Sequence, residues 1–283
     1  MVFISDVTEL YRHSRKMVIV YCDFEASSEC LGAVERKYNG VNNNMDRNNG
    51  KYICSKCSYK LRYINRETMH YKYKTLDDNL LFNINTDEKA YLLGWIASDG
   101  WFNKNQVHIA VKNSDVTVLE TLRDIVCKEL PIKDINKKTM KTFAICSKDI
   151  SEDAQRYLGL AFPLESYKKS HIVCFPNLQP ELVWYFVRGL MEGDGCICIE
   201  KKKYLFVSIA SYSINMRLGL CKLSDKENIK CCHARLYVGW YGKNAARFLE
   251  KVYNNNRQDL VLTRKYKRYT LFKVLYPDAW KGT

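Results

Sequence analysis

The chain has 283 residues, 47% of them hydrophobic, and a formal net charge of +14 with a sequence pI ≈ 9.1. That apolar content excludes wholesale disorder, and no uninterrupted apolar run approaches the ~18 residues that a membrane-spanning helix needs. The excess of Lys and Arg points to a polyanion partner, nucleic acid foremost, because neutralising phosphates releases counterions.

The N-terminal stretch MVFISDVTELYRHSRK lacks the charged-then-apolar layout of a secretory signal, and the 12 cysteines lack disulfide-scaffold spacing. The expectation is therefore an intracellular, reducing compartment with access to DNA and no membrane contact. Residues 1–80 form a first region, Asn-rich across NGVNNNMDRNNG. Within it GKYICSKCSYKLR sets Cys54-x-x-Cys57 ahead of basic residues, half of a zinc-ribbon pattern. Cys22 and Cys30 are the candidates for the other half. One Zn²⁺ on Cys22, Cys30, Cys54 and Cys57 is expected, with four metal-free thiols as the alternative. Residues 58–85 read as a basic linker.

From residue 86 one pattern occurs twice, over 86–175 and 176–283. In the first copy TDEKAYLLGWIASDG opens with Thr86 and Asp87 as helix caps. A hairpin follows, turning around Asn103, Lys104 and Asn105, with Val107, Ile109 and Val111 alternating. A helix over 114–130 carries the stripe Val116, Leu119, Leu122 and Ile125, then two short strands surround a Lys-rich turn, and SEDAQRYLGL closes as a helix. The second copy begins with QPELVWYFVRGLMEGDG, Pro180 suiting a first helical turn. KYLFVSIAS is strand-like, INMRLGLCKLSDKE a helix weakened by Gly219, KCCHARLYVGWYG again strand-like, and NAARFLEKVYN a helix. Cys196, Cys198, Cys231 and Cys232 read as small core or strand residues. The fold class is α+β, built from two αββαββα units plus a small Cys-containing N-terminal module.

The helix ends pose a physical question. Leu92–Gly100 can be laid over Val187–Gly195, which aligns Asp99 with Asp194. Gly94 with Ala97 or Ser98, and Gly189 with Gly193, put small residues on one face of each helix, so the two helices can pack closely with their C-termini together. A helix C-terminus is already partly negative, and two carboxylates there repel. A divalent cation such as Mg²⁺, which takes carboxylate and carbonyl oxygens, relieves that repulsion.

These two stretches, AYLLGWIASDG and WYFVRGLMEGDG, resemble the paired motifs of the single-chain LAGLIDADG homing endonucleases. The resemblance runs from residue 86 onward. It takes in the Lys-Ser and Phe-Pro lead-in LESYKKSHIVCFPNLQPELVWYFVRGLMEGDG and the C-terminal FLEKVYNNNRQDLVLTRKYKRY. It implies a monomer whose two pseudo-symmetric, saddle-shaped antiparallel sheets read a long asymmetric site on double-stranded DNA. It also implies Mg²⁺ on Asp99 and Asp194, with the carbonyls of Ser98 and Gly193 as further ligands and Ca²⁺ as a non-cleaving substitute. A basic residue behind the metal falls at Lys112. The second copy has Ser211 and Tyr212 there, which leaves Lys203 or Lys265 to serve and leaves cleavage of the second strand open. Glu192, matched by Ala97, reads as a helix-end partner rather than part of the chemistry.

The polar strand alternates Lys104, Gln106, His108, Lys137, Lys141, Lys201, Arg235 and Tyr237, together with Lys168, Lys169 and Lys265, are the expected DNA contacts. An intron RNA maturase or a DNA-binding regulator without catalysis is the competing expectation.

Overall fold

Antiparallel pairing organises the chain from its first strand. The computed structural model describes residues 17–22, 33–37, 41, 44–45, 51–54, 57, 73, 75–161, 169–200, 204–253 and 257–280. The chain divides into two units, Met1–Lys74 and Thr75–Thr283.

In the first unit β1 (Met17–Tyr21) pairs antiparallel with β2 (Ala33–Lys37), from Met17 opposite Lys37 to Tyr21 opposite Ala33. Alternation along β1 turns Val18 and Val20 inward, where Val41, Tyr52, Ile53 and the thiols of Cys22, Cys54 and Cys57 complete a small core. Asn44 pins Ile53 from its side chain: Nδ2 donates to the Ile53 carbonyl and Oδ1 accepts from its N–H, both at 3.0 Å.

The second unit repeats one topology. Its first half runs α1 (Asp87–Ser98), β3 (Gly100–Asn103), β4 (Gln106–Lys112), α2 (Val116–Val126), β5 (Lys133–Ile135), β6 (Met140–Ile145) and α3 (Lys148–Tyr157), followed by the short α4 (Lys169–Ile172). Its second half runs α5 (Val183–Asp194), β7 (Gly195–Glu200), β8 (Tyr204–Ala210), α6 (Ile214–Lys226), β9 (Cys232–His233), β10 (Tyr237–Tyr241) and α7 (Gly242–Tyr253), then α8 (Thr263–Leu275). The two four-stranded antiparallel sheets have orders β3-β4-β6-β5 and β7-β8-β10-β9, the same order in each half. The mixed α+β class and the doubled αββαββα unit are thus those read from the sequence.

Local chemistry explains the boundaries. The Thr86 side chain accepts from the Lys89 N–H, Ser147 from Ile150 and Ser213 from Met216, each capping a helix start. The β3–β4 turn holds Lys104 at φ 53°, and the β5–β6 turn holds Asn136, Lys137 and Lys138 at positive φ. Four details differ from the sequence reading. A 3₁₀ turn over Asn113–Asp115 delays α2, so its buried stripe is Val118, Leu119, Leu122 and Val126 rather than one through Val116 and Ile125. Pro180 sits in the turn before α5 instead of inside it. The stretch 230–242 folds as two short strands, β9 and β10, paired at Val238 and Gly239. Helix α8 was not separable in the sequence, because TRKYKRYTLFKVL is basic with little apolar periodicity. Gly219 does lie within α6, with the Phe175 ring packed where a side chain would stand.

At the centre of this unit α1 lies against α5, backbone to backbone. A Cβ on Gly94 would stand 2.9 Å from the Gly189 Cα, and one on Gly189 would stand 3.0 Å from the Gly94 Cα. Only glycine permits that approach. Tyr91, Leu92, Trp95 and Ile96 on α1, and Phe186, Val187, Leu190 and Met191 on α5, bury around the contact. Because neighbours surround α1 on most sides, its apolar residues are spread around the helix rather than confined to a stripe.

Candidate metal and nucleic-acid site

The glycine contact brings the C-terminal ends of α1 and α5 together. Asp99 is the residue following α1, and Asp194 is the last of α5. A Cβ on Gly193 would collide with the Ser98 and Asp99 side chains, so the Asp99 carboxylate lies directly against α5. Both aspartates reach solvent but are hemmed in on the protein side. Lost hydration, and after it the charge of Asp99, raise the Asp194 carboxyl to about 6 against the opposing pull of Lys169 and Lys265. Lost hydration likewise raises Asp99, against Lys169, Lys265, Ser98 and Arg264.

Each helix end is closed by a lysine. Lys169 Nζ donates to the carbonyls of Ile96 at 2.8 Å and Ser98 at 3.1 Å, and to that of Gly100. Lys265 Nζ shares its three N–H bonds among four carbonyls, of Met191 at 2.8 Å, Glu192 at 2.7 Å, Gly193 at 3.3 Å and Gly195 at 2.6 Å. An ammonium at a helix C-terminus meets both the carbonyls that lack intrahelical donors and the negative end of the dipole. Burial lowers both ammonium groups to about 8, the two aspartates pulling the other way in each case. The electrostatic problem of two carboxylates at two helix ends is thus answered in part by the chain itself.

These positions correct the sequence reading in two respects. Lys169 and Lys265 were expected to contact DNA, but their amines are committed to helix-end carbonyls, and Lys265 is 6% exposed. The Ser98 and Gly193 carbonyls, expected as metal ligands, each accept a lysine N–H, which leaves one lone pair apiece. The two capping lysines were missed as a pair, although a signal existed. Lys169 lies 71 residues after Ser98 and Lys265 lies 72 residues after Gly193, spacings that differ by a single residue between the copies.

Glu192 is fully buried one residue before Gly193. The Tyr91 hydroxyl donates to its Oε2 across the helix pair. Burial lifts the carboxyl to about 7, against the Tyr91 hydrogen bond and the Arg188 charge. Arg188 in turn donates to the carbonyls of Val252, Arg257 and Leu260, tying α5 to the segment before α8. Glu192 is a partner at the helix interface, as its unmatched position in the duplicate suggested.

The outer faces of the sheets carry the other expected residues. On the first sheet Trp101 stacks on His108 at 4.9 Å, His108 is hydrogen-bonded to Gln106 at 3.1 Å, and Lys112 stands exposed at the end of β4. Burial lowers the His108 pKa, favouring the neutral ring. Lys104 and Lys137 occupy the two hairpin turns. Lys141 is a further correction. It pairs with Val111 and alternates in phase with Phe143 and Ile145, on the side opposite His108, and it is bound to Asp134 at 2.9 Å. The cations acting on Asp99 are Lys169, Lys265 and Arg264 rather than Lys112.

On the second sheet Arg235 is exposed in the β9–β10 turn, and Tyr237 packs edge-on against Phe206 at 6.0 Å. A cleft of about 340 Å³ opens beside Asp194, lined among others by Ser98, Ser170, Ser211 and Tyr212. Ser211 and Tyr212 thus reach the Asp194 side of the site, with Arg217 Nη1 donating to the Ser211 carbonyl at 2.6 Å. Lys168, Lys201, Lys203 and Cys30 lie outside the described residues.

Two carboxylates with depleted hydration, flanked by carbonyls that each keep one lone pair, form a donor set suited to a hard divalent cation. No helix among the described residues is long and apolar enough to cross a membrane. No protein-family model and no curated protein matches the chain. Among solved structures it is similar to the I-SmaMI LAGLIDADG homing endonuclease bound to cleaved DNA, at 13% identity over 66% of this chain and 87% of that one, TM-score 0.43. It is similar also to full-length DUF199/WhiA from Thermatoga maritima, at 16% identity over 69% and 64%, TM-score 0.39. Mesophilic variants from the homing endonuclease I-DmoI match at 16% identity over 60% of this chain and 97% of that one, TM-score 0.38.

Proposed function

We propose that the chain is a site-specific endonuclease of the LAGLIDADG type that hydrolyses double-stranded DNA with divalent metal at Asp99 and Asp194. The observation that supports this most is the meeting of the two carboxylates at the ends of two glycine-packed helices, each end closed by its own lysine. Asp99 and Asp194 would hold the metal, with the remaining lone pairs of the Ser98 and Gly193 carbonyls as supplementary donors. Mg²⁺ bound there supplies the charge that activates water and stabilises phosphoryl oxygens.

The protein's own groups have separate tasks in this reading. Lys169 and Lys265 fix the helix ends, so the carboxylates stay where the packing sets them. Their ammonium charges also keep both aspartates more acidic than burial alone would leave them. Gln106 and His108, held in one orientation by the Trp101 stack, offer a prearranged polar edge for bases in the major groove. The +14 charge supplies sequence-independent attraction to phosphates.

Incubation of the chain with a randomised duplex library and Mg²⁺ tests this reading. Cleavage at a recurrent long site, lost in both Asp99→Asn and Asp194→Asn, is the expected result. Duplex binding without cleavage at any metal concentration would replace it with a regulatory role, and preference for structured RNA would favour a maturase.

A further inference from the structure

We infer that Cys22, Cys54 and Cys57 form a structural Zn²⁺ site that holds the N-terminal unit together, separate from the aspartate pair. The three sulfurs lie within 4.8 Å of one another, and all three residues are buried, at 3%, 0% and 0% exposure. Tetrahedral Zn–S bonds of about 2.3 Å set sulfurs about 3.8 Å apart, so a shift of roughly an ångström converts this cluster into a coordination sphere.

Backbone amides already point at the sulfurs. The Cys54 N–H donates to Cys22 Sγ at 3.3 Å, and the Cys57 N–H to Cys54 Sγ at 3.4 Å. Such donors stabilise sulfur in its thiolate form, the form that binds metal. Cys54 and Cys57 thus supply two of the sulfurs, and Cys22, directly after β1, supplies the third. A disulfide among the three could join only two of them. A borderline-soft, redox-inert d¹⁰ ion can take all three as ligands.

The same residues explain why the metal would be structural. The core described for this unit comprises eight buried residues, and three of them are these cysteines. Metal binding at these three positions would add to the stability of that core directly, as folding free energy.

The test uses the full-length chain, purified from zinc-replete medium over a chelating resin, with zinc per chain measured by plasma mass spectrometry. One zinc per chain is expected in the wild type and also in the Asp99→Asn/Asp194→Asn double variant, which separates this site from the aspartates. Cys54→Ser and Cys57→Ser should each lower bound zinc by about tenfold or more. Should those variants fail to fold, Co²⁺ exchanged into the wild type gives an independent readout, an intense near-ultraviolet thiolate-to-cobalt band. Zinc-free wild type, undiminished zinc in both cysteine variants, or a cobalt protein lacking that band would each overturn the inference.

Discussion

The two halves of the second unit share what packing demands and differ in what they present outward. Both have the same strand order, a glycine at the helix contact, an aspartate at the helix end and a lysine closing it. Their outer faces diverge. The first sheet shows a Trp101–His108 stack, Gln106 bonded to that histidine, and Lys112 at its rim. On the second, Phe206 is flanked by Tyr241 at 4.6 Å and Tyr237 at 6.0 Å beside Cys196 and Cys198, with Ser211 and Tyr212 at the rim. A duplicated fold can keep its centre symmetrical, because each helix is the other's packing partner, while its surfaces are free to specialise. In the reading proposed above, faces this different suit an asymmetric duplex site better than a palindrome.

The sharpest way to break the shared centre is to remove one carboxylate. Asp99→Asn and Asp194→Asn should each lower DNA cleavage by at least about 10³-fold, several kcal/mol of lost metal-centred stabilisation, with duplex binding largely kept. Gel cleavage assays beside binding titrations measure both. A variant that binds and still cuts at the wild-type rate would dismiss that aspartate from the chemistry.

The lysine caps should differ in weight. Lys265→Met strands four carbonyls around a nearly inaccessible position, and about 3 kcal/mol of unfolding free energy should be lost. Lys169→Met strands three at a half-buried one and should cost about half as much. Urea unfolding gives both numbers. Equal losses would mean that the two helix ends are energetically equivalent despite their different burial.

The buried acid belongs to one half only. Glu192 is raised from 4.5 to about 7, so folding favours its protonated form. Its stabilising contribution is therefore full below pH 4.5 and is lost as pH rises to 7, up to about 3 kcal/mol in all. Glu192→Gln keeps the shape without the ionisation, and its stability should run flatter than wild type between those pH values. Ala97, the matching residue in α1, has nothing to titrate.

Much of the doubled fold was legible because it rests on short-range signals: Thr86 as a cap, turn residues at Lys104 and Lys137, and alternation along β4. The aspartate pair was legible because the motif repeats. What escaped depends on long-range contact. Lys169 and Lys265 look like surface cations until the fold brings carbonyls from about 70 residues away onto their amines. Lys141 belongs to a β-strand, yet its face is set by the register against Val111 and not by its own charge. The Tyr91–Glu192 hydrogen bond spans 101 residues, and no local pattern announces it. Helix α8 escaped for a related reason: its buried residues, Lys265 and Tyr269, are polar groups that the fold satisfies.

The smallest expected effect tests the difference between the rims. Lys112 is exposed where β4 ends, and the corresponding end of β8 offers Ser211 and Tyr212, with the Arg217 guanidinium bound to a carbonyl behind them. An exposed ammonium can meet a phosphate directly. A hydroxyl cannot replace its charge, and Arg217 is only 6% exposed. The two DNA strands should then be cut at unequal rates, and a supercoiled substrate should pass through an accumulating nicked circle. Lys112→Ala should slow the faster cut by about tenfold, near 1.4 kcal/mol, and so reduce the nicked intermediate. Ser211→Lys should act from the other side, speeding the slower cut and producing linear product earlier. If the wild type yields linear DNA with no nicked intermediate, and Lys112→Ala leaves that course unchanged, the rims differ in sequence but not in chemistry. The asymmetry between the halves would then concern recognition alone.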